Sequence, residues 1–370
     1  MTGIRDALHG HITLNENERA FIQDKNMQRL RHVSQFGFAS LVYPGANHTR
    51  FEHSIGTMHI TKEMLSQVNS EKEEECIYAG LLHDIGHGPF SHHSDNLIKK
   101  YLKSTHEELG IDKIKNSSIK DIIQGQGLSM KTLLEYFNGK GKGEIITGPF
   151  GSDRMDYLVR DAHYSGVAFG SIDYQYIRAK LTLYKGAPAI MEQGTNSLEN
   201  FLLARYSMFS AVYDHHTAVI AEGMYERAVE NAIEAKKFNP EELKELTDWQ
   251  MRAKLTTIKE SKELMQRLNE RDLFKRVFSG YVDNEPNIAE IENELEKLGI
   301  RRDNFTVKLR RLKIDGGEIN VVTRDGKLIG KFSELSPLVK TLTTLHQRKK
   351  LIIACDRKDL EKAKKVLKKL

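Results

Sequence analysis

The densest concentration of metal-competent side chains lies between residues 77 and 95, Ile-Tyr-Ala-Gly-Leu-Leu-His-Asp-Ile-Gly-His-Gly-Pro-Phe-Ser-His-His-Ser-Asp, with four His and two Asp inside thirteen residues. The apolar run from Ile77 to Leu82 predicts a buried helix carrying His83 and Asp84 near its end, and Gly86, Gly88 and Pro89 then break it. Neighbouring residues on a helix point about 100° apart. His83 and Asp84 can therefore share a cation only by gripping it from its flanks, and other segments must complete the shell. Two stretches qualify. Arg50-Phe-Glu-His53 sets a His behind an Arg at a helix start, and Asp153, Tyr157 and Asp161 recur at i, i+4 and i+8, which aligns them on one helix face. Together His53, His83, Asp84 and Asp153 form a two-nitrogen, two-oxygen set that suits Mn, Fe, Zn or, less well, Mg. Such a set leaves coordination positions open for water or a phosphate oxygen.

The elements that must position these groups read as mainly α. A chain of 370 residues with 39% hydrophobic content can bury a large core, and 29% charged residues fit a soluble globular protein. Two cysteines, Cys76 and Cys355, are too few for a disulfide framework and suit a reduced, cytoplasmic protein. No apolar h-region opens the chain and no run approaches about 18 apolar residues, so neither a signal peptide nor a membrane span is expected. The net charge of +5 is concentrated late, with ten Lys or Arg against three acids in residues 346–370. That tail reads as a solvated helix face, with nucleic-acid contact as the weaker alternative.

In chain order, a hairpin is expected around Asp6 to Thr13, a helical segment over Met27 to Val33, and a loop from Leu41 that enters a helix near Arg50, the whole wrapping over the pocket mouth. Residues 111–147 are polar and Gly-dotted. The run from Asn138 to Gly143 lacks the phosphate-cradling Walker spacing and reads as a mobile loop. Leu198 to Ile233 predicts continuous helix, and 240–298 two or three amphipathic helices. The period then changes: Val307–Leu312, Glu318–Thr323, Lys327–Phe332 and Lys350–Cys355 read as strands, with a turn at Arg324-Asp-Gly326 and a closing helix from Leu360 to Leu370. The expected division is a catalytic domain over 1–240, a helical extension over 241–300 and a small α+β lobe over 301–370.

The words RFEHSIG, HDIGHGPFSHHSD and DRMDYLVRD, carrying His53, His83-Asp84 and Asp153, resemble the HD-domain phosphohydrolases, and within them the deoxynucleoside triphosphate triphosphohydrolase branch. The likeness runs from about residue 25 to 225, with a fainter echo near the C-terminus. It implies an HD-type helical core and hydrolysis of a dNTP to deoxynucleoside and inorganic triphosphate. The cofactor would be a divalent metal ion (Mn, Fe, Mg, Co or Zn), with room for a second Mg accompanying the triphosphate, and the assembly a homo-oligomer, a dimer or tetramer. Gln28 and Arg31 match part of the guanine-nucleotide regulatory site of metazoan members, but Gln23 occupies the slot of the acid, with Asp24 one place off. Nucleotide activation is therefore not expected.

His87 and His92 flank the Gly88-Pro89-Phe90 turn, and Asp95 follows His92 by three, so a carboxylate can orient an imidazole for acid/base work. His106 resembles a further active-site His of the family. Arg50, Arg154 and Arg205 can fork phosphate oxygens, and the resemblance assigns such contacts to them. It also implies that Gln35 and Asp161 bond the sugar 3′-hydroxyl while Tyr157 and Tyr213 pack on the sugar and base, crowding out a 2′-hydroxyl. His93, His215 and His216 lean towards structural roles, and His32, His48, His59 and His163 carry no assigned role. Two rivals stand beside the dNTP reading: a nucleotide phosphomonoesterase or phosphodiesterase using the same metal, and a nucleotide-sensing or nucleic-acid-binding regulator with a vestigial site.

Overall fold

The computed structural model describes residues 2–70, 72–311, 318–345 and 349–369. It is mainly α-helical, with three small sheets. Three helices bring the metal-competent residues together. The first, Arg50–Gln67, starts at Thr49 through a capping box with Glu52, which satisfies orphan amides at its N-terminus. The second, Glu74–Leu82, is buried from Cys76 onward, and its apolar face delivers His83 to the pocket. The third, Ser152–Ser165, stops at Gly166, whose φ of +71° provides the left-handed turn that closes a helix. Gly56 lets the first and third approach closely, since a Cβ there would overlap the Asp156 carboxylate.

The hairpin pairs β1 (Thr2–Asp6) with β2 (Gly10–Leu14), around a turn at 7–9. A four-stranded sheet orders β3 (Leu181–Tyr184), β4 (Ala187–Met191), β7 (Asn320–Val322) and β8 (Leu328–Lys331), with β4 and β7 parallel. A three-stranded antiparallel sheet places β9 (Lys349–Cys355) between β5 (Lys275–Val282) and β6 (Phe305–Arg311). Apolar residues gather in two large clusters, and the loop after His83 joins them: Ile85 lies in the cluster under the metal-competent helices, Phe90 in the cluster built on the His216–Glu234 helix. A third cluster lines β9 and the C-terminal helices.

Three expectations change. Residues 111–147 are not an open stretch: helices His106–Asn116, Ser118–Gly125, Met130–Phe137 and Glu144–Thr147 run through it, burying Ile114, Ile119, Ile123, Leu133 and Phe137 at helical spacing. Breaks fall at Ser117, at 126–129 and at 138–140, the last followed by a short 3-10 turn at Gly141–Gly143. The helix expected over 198–233 divides at Asp214, where a widened turn over Phe209–Tyr213 separates Thr195–Met208 from His216–Glu234. Within 240–298 the strand β5 was hidden by Arg276, Ser279 and Gly280, which blur its alternation, and β3–β4 likewise escaped because each is four or five residues long. Leu312 and Leu370, expected ends of a strand and a helix, lie outside the described residues, as do 346–348 of the basic tail. In the described part of that tail Lys349, on β9, pairs with Glu285, and Lys364 pairs with Glu361. No helix among the described residues is long and apolar enough to cross a membrane.

Candidate metal centre

His53 projects from the first turn of its helix and is fully buried. Its Nδ1–H donates to Asp156 Oδ2 at 2.8 Å, which turns Nε2 inward. His83 does the same with another partner: Nδ1–H donates to the Gly80 carbonyl at 2.8 Å. The two Nε2 atoms then face each other at 3.2 Å. Asp84 brings Oδ2 to 3.6 Å from His53 Nε2 and Oδ1 to 3.3 Å from His83 Nε2. Asp153 Oδ1 lies 3.1 Å from His53 Nε2 and 3.6 Å from His83 Nε2.

Ligands held about 2.1 Å from one ion, at right angles, stand about 3 Å apart. The spacings among these four residues are of that size, and both imidazoles have their outer nitrogens tied by hydrogen bonds, as metal-bound imidazoles do. The donor set fits a divalent cation. Electrostatics point the same way. Burial works against a charged His53, yet Asp153, Asp156 and Asp84 raise it to about 10. Burial also opposes the Asp84 carboxylate, but Arg50, His83 and His87 hold it well below the usual carboxylate range. The site demands positive charge.

A second group adjoins it. Ligand atoms of His87, His92, Asp95 and His106 lie within 4.8 Å of one another, as do those of His53, His83 and Asp84. His106 Nδ1 is 3.1 Å from Asp95 Oδ1 and His92 Nδ1 is 2.9 Å from Asp95 Oδ2. Burial would lower His106, but Asp95 and Glu107 raise it, so this imidazole favours its proton. His87 behaves oppositely: burial first, then Arg50 and His106, push it well down, and it stays neutral. Its Nε2 is 3.2 Å from Asp84 Oδ1, and neither ring nitrogen makes a hydrogen bond among the described residues.

Arg50 is buried against the metal-competent group, donating from Nη1 to Asp84 Oδ2 at 2.7 Å and from Nε to Ser91 Oγ at 2.8 Å. Arg154 donates to the Gly148 carbonyl at 2.9 Å, and Arg205 sits 5.8 Å from the Phe209 ring centre. Both guanidiniums act on Tyr157, whose phenol burial raises and they lower in turn. The Tyr157 ring stands edge-on to His53 at 6.4 Å and to Tyr213 at 6.3 Å. Tyr213 donates to Asp161 Oδ2 at 2.7 Å. Gln35 is buried, with its amide oxygen lacking a partner among the described residues.

Five participants lie outside the site read from the sequence. Asp156 accepts from His53 and pairs with Arg160, and it also meets His9 Nε2 at 2.7 Å; Arg160 reaches on to Asp6 at 3.0 Å. The N-terminal hairpin thus braces a metal-competent imidazole from behind. Asp156 follows Asp153 by three and precedes Arg160 by four, a helical spacing that could have drawn notice, whereas His9 lies 147 residues away and gives none. His48, to which the sequence assigns no role, packs its ring on Tyr164 and donates from Nε2 to Asp161 Oδ1 at 2.8 Å.

Family models match the chain as an HD domain over residues 50–161 and an HD associated region over residues 172–369. An uncharacterized protein of Methanocaldococcus jannaschii is 34% identical over 369 residues, covering 94% of this chain and 77% of that one. The deoxynucleoside triphosphate triphosphohydrolase SAMHD1 homolog of Dictyostelium discoideum is 26% identical over 377 residues, covering 91% of this chain and 70% of that protein. The crystal structure of a hypothetical protein from Aquifex aeolicus superposes with a TM-score of 0.84 at 33% identity, over 99% of both chains.

Proposed function

The chain belongs to the HD-domain phosphohydrolases, and from that premise we propose that it cleaves deoxynucleoside triphosphates to deoxynucleoside and inorganic triphosphate. The observation that carries this reading is the Ser152–Ser165 helix, which holds Asp153 against His53 and His83 at one end of a polar face and Asp161, gripped by Tyr213 and His48, at the other. With about 1.5 Å of rise per residue the two carboxylates are about 12 Å apart along the axis, room for a phosphate at one end and a sugar at the other.

His53, His83, Asp84 and Asp153 would hold a divalent cation, which supplies Lewis acidity towards a phosphoryl oxygen and a more acidic water. Arg50 offers its guanidinium beside Asp84, where a phosphate oxygen would arrive. Arg154 and Arg205 serve the outer phosphates. Water adds to the α-phosphorus, the bond to O5′ breaks, and the oxygen of that water stays on triphosphate. The departing O5′ takes a proton from His106, which Asp95 keeps protonated. His92, on the other oxygen of Asp95, and neutral His87 complete this acid/base group. Gln35 and Asp161 receive the 3′-hydroxyl, and the Tyr157–Tyr213 pair crowds the 2′ position, excluding ribonucleotides.

The test incubates the protein with each dNTP, rNTP and dNMP under Mn, Mg, Fe and Co and resolves the products. Inorganic triphosphate from dNTPs alone is expected; pyrophosphate, or orthophosphate from a monophosphate, would replace this reading with the phosphodiesterase or phosphomonoesterase rival.

A further inference from the structure

Residues 85–91 connect Asp84 to His92, and their backbone is strained near its end. Phe90 has φ +58° and Ser91 φ +55°, two consecutive non-glycine residues in the left-handed region. Such a conformation persists only where surrounding contacts enforce it. The contacts come from outside the matched HD segment. Asp248, the first residue of the Asp248–Thr257 helix, accepts the Phe90 N–H on Oδ1 at 2.7 Å. Its Oδ2 accepts both the N–H and the hydroxyl of Ser34, at 3.0 and 2.5 Å. This helix is already capped by Thr247, which accepts from the Gln250 N–H, so the Asp248 carboxylate is not spent on its own helix.

The hydrogen bonds continue inward. Ser91 Oγ donates to the Ser34 carbonyl at 2.5 Å and accepts from Arg50 Nε at 2.8 Å, and Arg50 Nη1 donates to Asp84 at 2.7 Å. Neighbouring contacts fix the same face. Arg252 lies 4.9 Å from the Phe90 ring centre, a Cβ on Gly88 would come within 2.7 Å of the Leu243 carbonyl, and Arg29 bonds both the His87 and Leu246 carbonyls. The segment from Leu243 to Arg252 therefore backs the loop along its length.

We propose that Asp248 is a positioning residue for the phosphohydrolase site: by holding the Phe90–Ser91 turn and Ser34 it places Ser91, and through Ser91 it sets the Arg50 guanidinium that meets the substrate phosphate. The role of Arg50 rests on the function proposed above; the brace itself does not.

Asp248→Asn keeps the shape but turns an NH2 group towards one of the donors the carboxylate accepts. The experiment measures the Kd of inorganic triphosphate by calorimetry, in the presence of Mn, for the full chain and for Asp248→Asn, Asp248→Glu, Arg50→Ala and the Asp248→Asn/Arg50→Ala pair. Asp248→Asn should weaken binding about 10-fold alone and less than about 2-fold when Arg50 is already absent, with partial recovery in Asp248→Glu. A merely structural role gives additive losses instead, and additivity, or wild-type binding by Asp248→Asn, overturns the proposal. Hydrogen exchange of the Gly88, Phe90, Ser91 and His92 amides reads the brace without any ligand: exchange about 10-fold faster in Asp248→Asn supports it, and unchanged exchange overturns it. Were the wild-type protein to bind no triphosphate, the dNTP reading would fall while the exchange data still decided the brace. If Asp248→Asn does not fold, Ser91→Ala removes only the hydroxyl between Ser34 and Arg50; in the same cycle with Arg50→Ala, non-additive losses support the proposal and additive ones overturn it.

Discussion

Two regions of this molecule bury histidine among acids, and they resolve the charge in opposite ways. At the metal-competent site His53 is raised to about 10 against the effect of burial, because Asp153, Asp156 and Asp84 surround it. Beneath β6, His93 is lowered to about 4 by burial and by Arg310, His92 and Lys308, although Glu222 lies 3.6 Å away. There the acid is already served: Glu222, 1% exposed, pairs with both Arg310 and Lys308. A buried cluster whose acid is served by cations of the chain has no use for an ion, whereas one whose imidazole nitrogens face each other at 3.2 Å, with Arg50 answering only Asp84, has the donors to hold a cation from outside. The difference marks the first as a site and the second as a girder between the His216–Glu234 helix and β6.

Removing a ligand tests that difference most severely. Asp84→Ala and Asp153→Ala should each lose the bound metal, read by elemental analysis, and at least about 10³-fold in turnover, with the melting transition retained. Normal activity in either would sink the assignment. Glu222→Ala should do the reverse. It leaves Lys308 to Glu226 and Arg310 to the more distant Asp214 and should cost about 2 kcal/mol of stability in denaturant unfolding, while metal content stays at the wild-type level; loss of metal there would erase the distinction between the regions.

How much of the molecule is legible in its sequence follows from how far each contact reaches along the chain. His53, His83-Asp84 and Asp153 can be read as neighbours because residue type and local helix phase mark metal-competent groups. The Asp153, Tyr157, Asp161 face can be read for the same reason, and the helix runs through all three. What holds these groups is distant: His9 on Asp156, His48 on Asp161 and Asp248 on Ser34 are separated by 147, 113 and 214 residues. No local period encodes such pairs. The same limit hides the parallel pairing of β4 with β7, which joins residues 189–191 to 320–322, while the helices of 111–147 are masked by composition although their apolar spacing is present.

The brace behind His53 sharpens the comparison at intermediate scale. Asp156→Asn keeps an acceptor for the His53 Nδ1–H but removes the charge that His9 and Arg160 answer. Metal affinity should fall about 10- to 100-fold, the usual effect of altering a carboxylate behind a metal-bound imidazole, as measured by competition with a chelating dye. An unchanged affinity would mean that the hairpin network supports the fold alone.

The smallest effect probes the girder by pH. Burial raises Asp214 from 3.8 to about 6, only partly offset by Arg310 and Lys350. A carboxyl raised on folding favours the folded state fully below its unfolded value, and that contribution is lost as pH climbs through the folded value. Above about pH 6 the native protein therefore carries an ionised Asp214 at a net cost, which Asp214→Asn removes. The variant should match wild type near pH 4 and gain of the order of 1 kcal/mol above pH 6, with the gain growing between. A gain equal at both ends would assign the effect to packing rather than charge. A loss above pH 6 would show that Arg310, 3.9 Å away, pairs with Asp214 strongly enough to reverse the sign, which would make this cluster self-neutralising at every acid it contains.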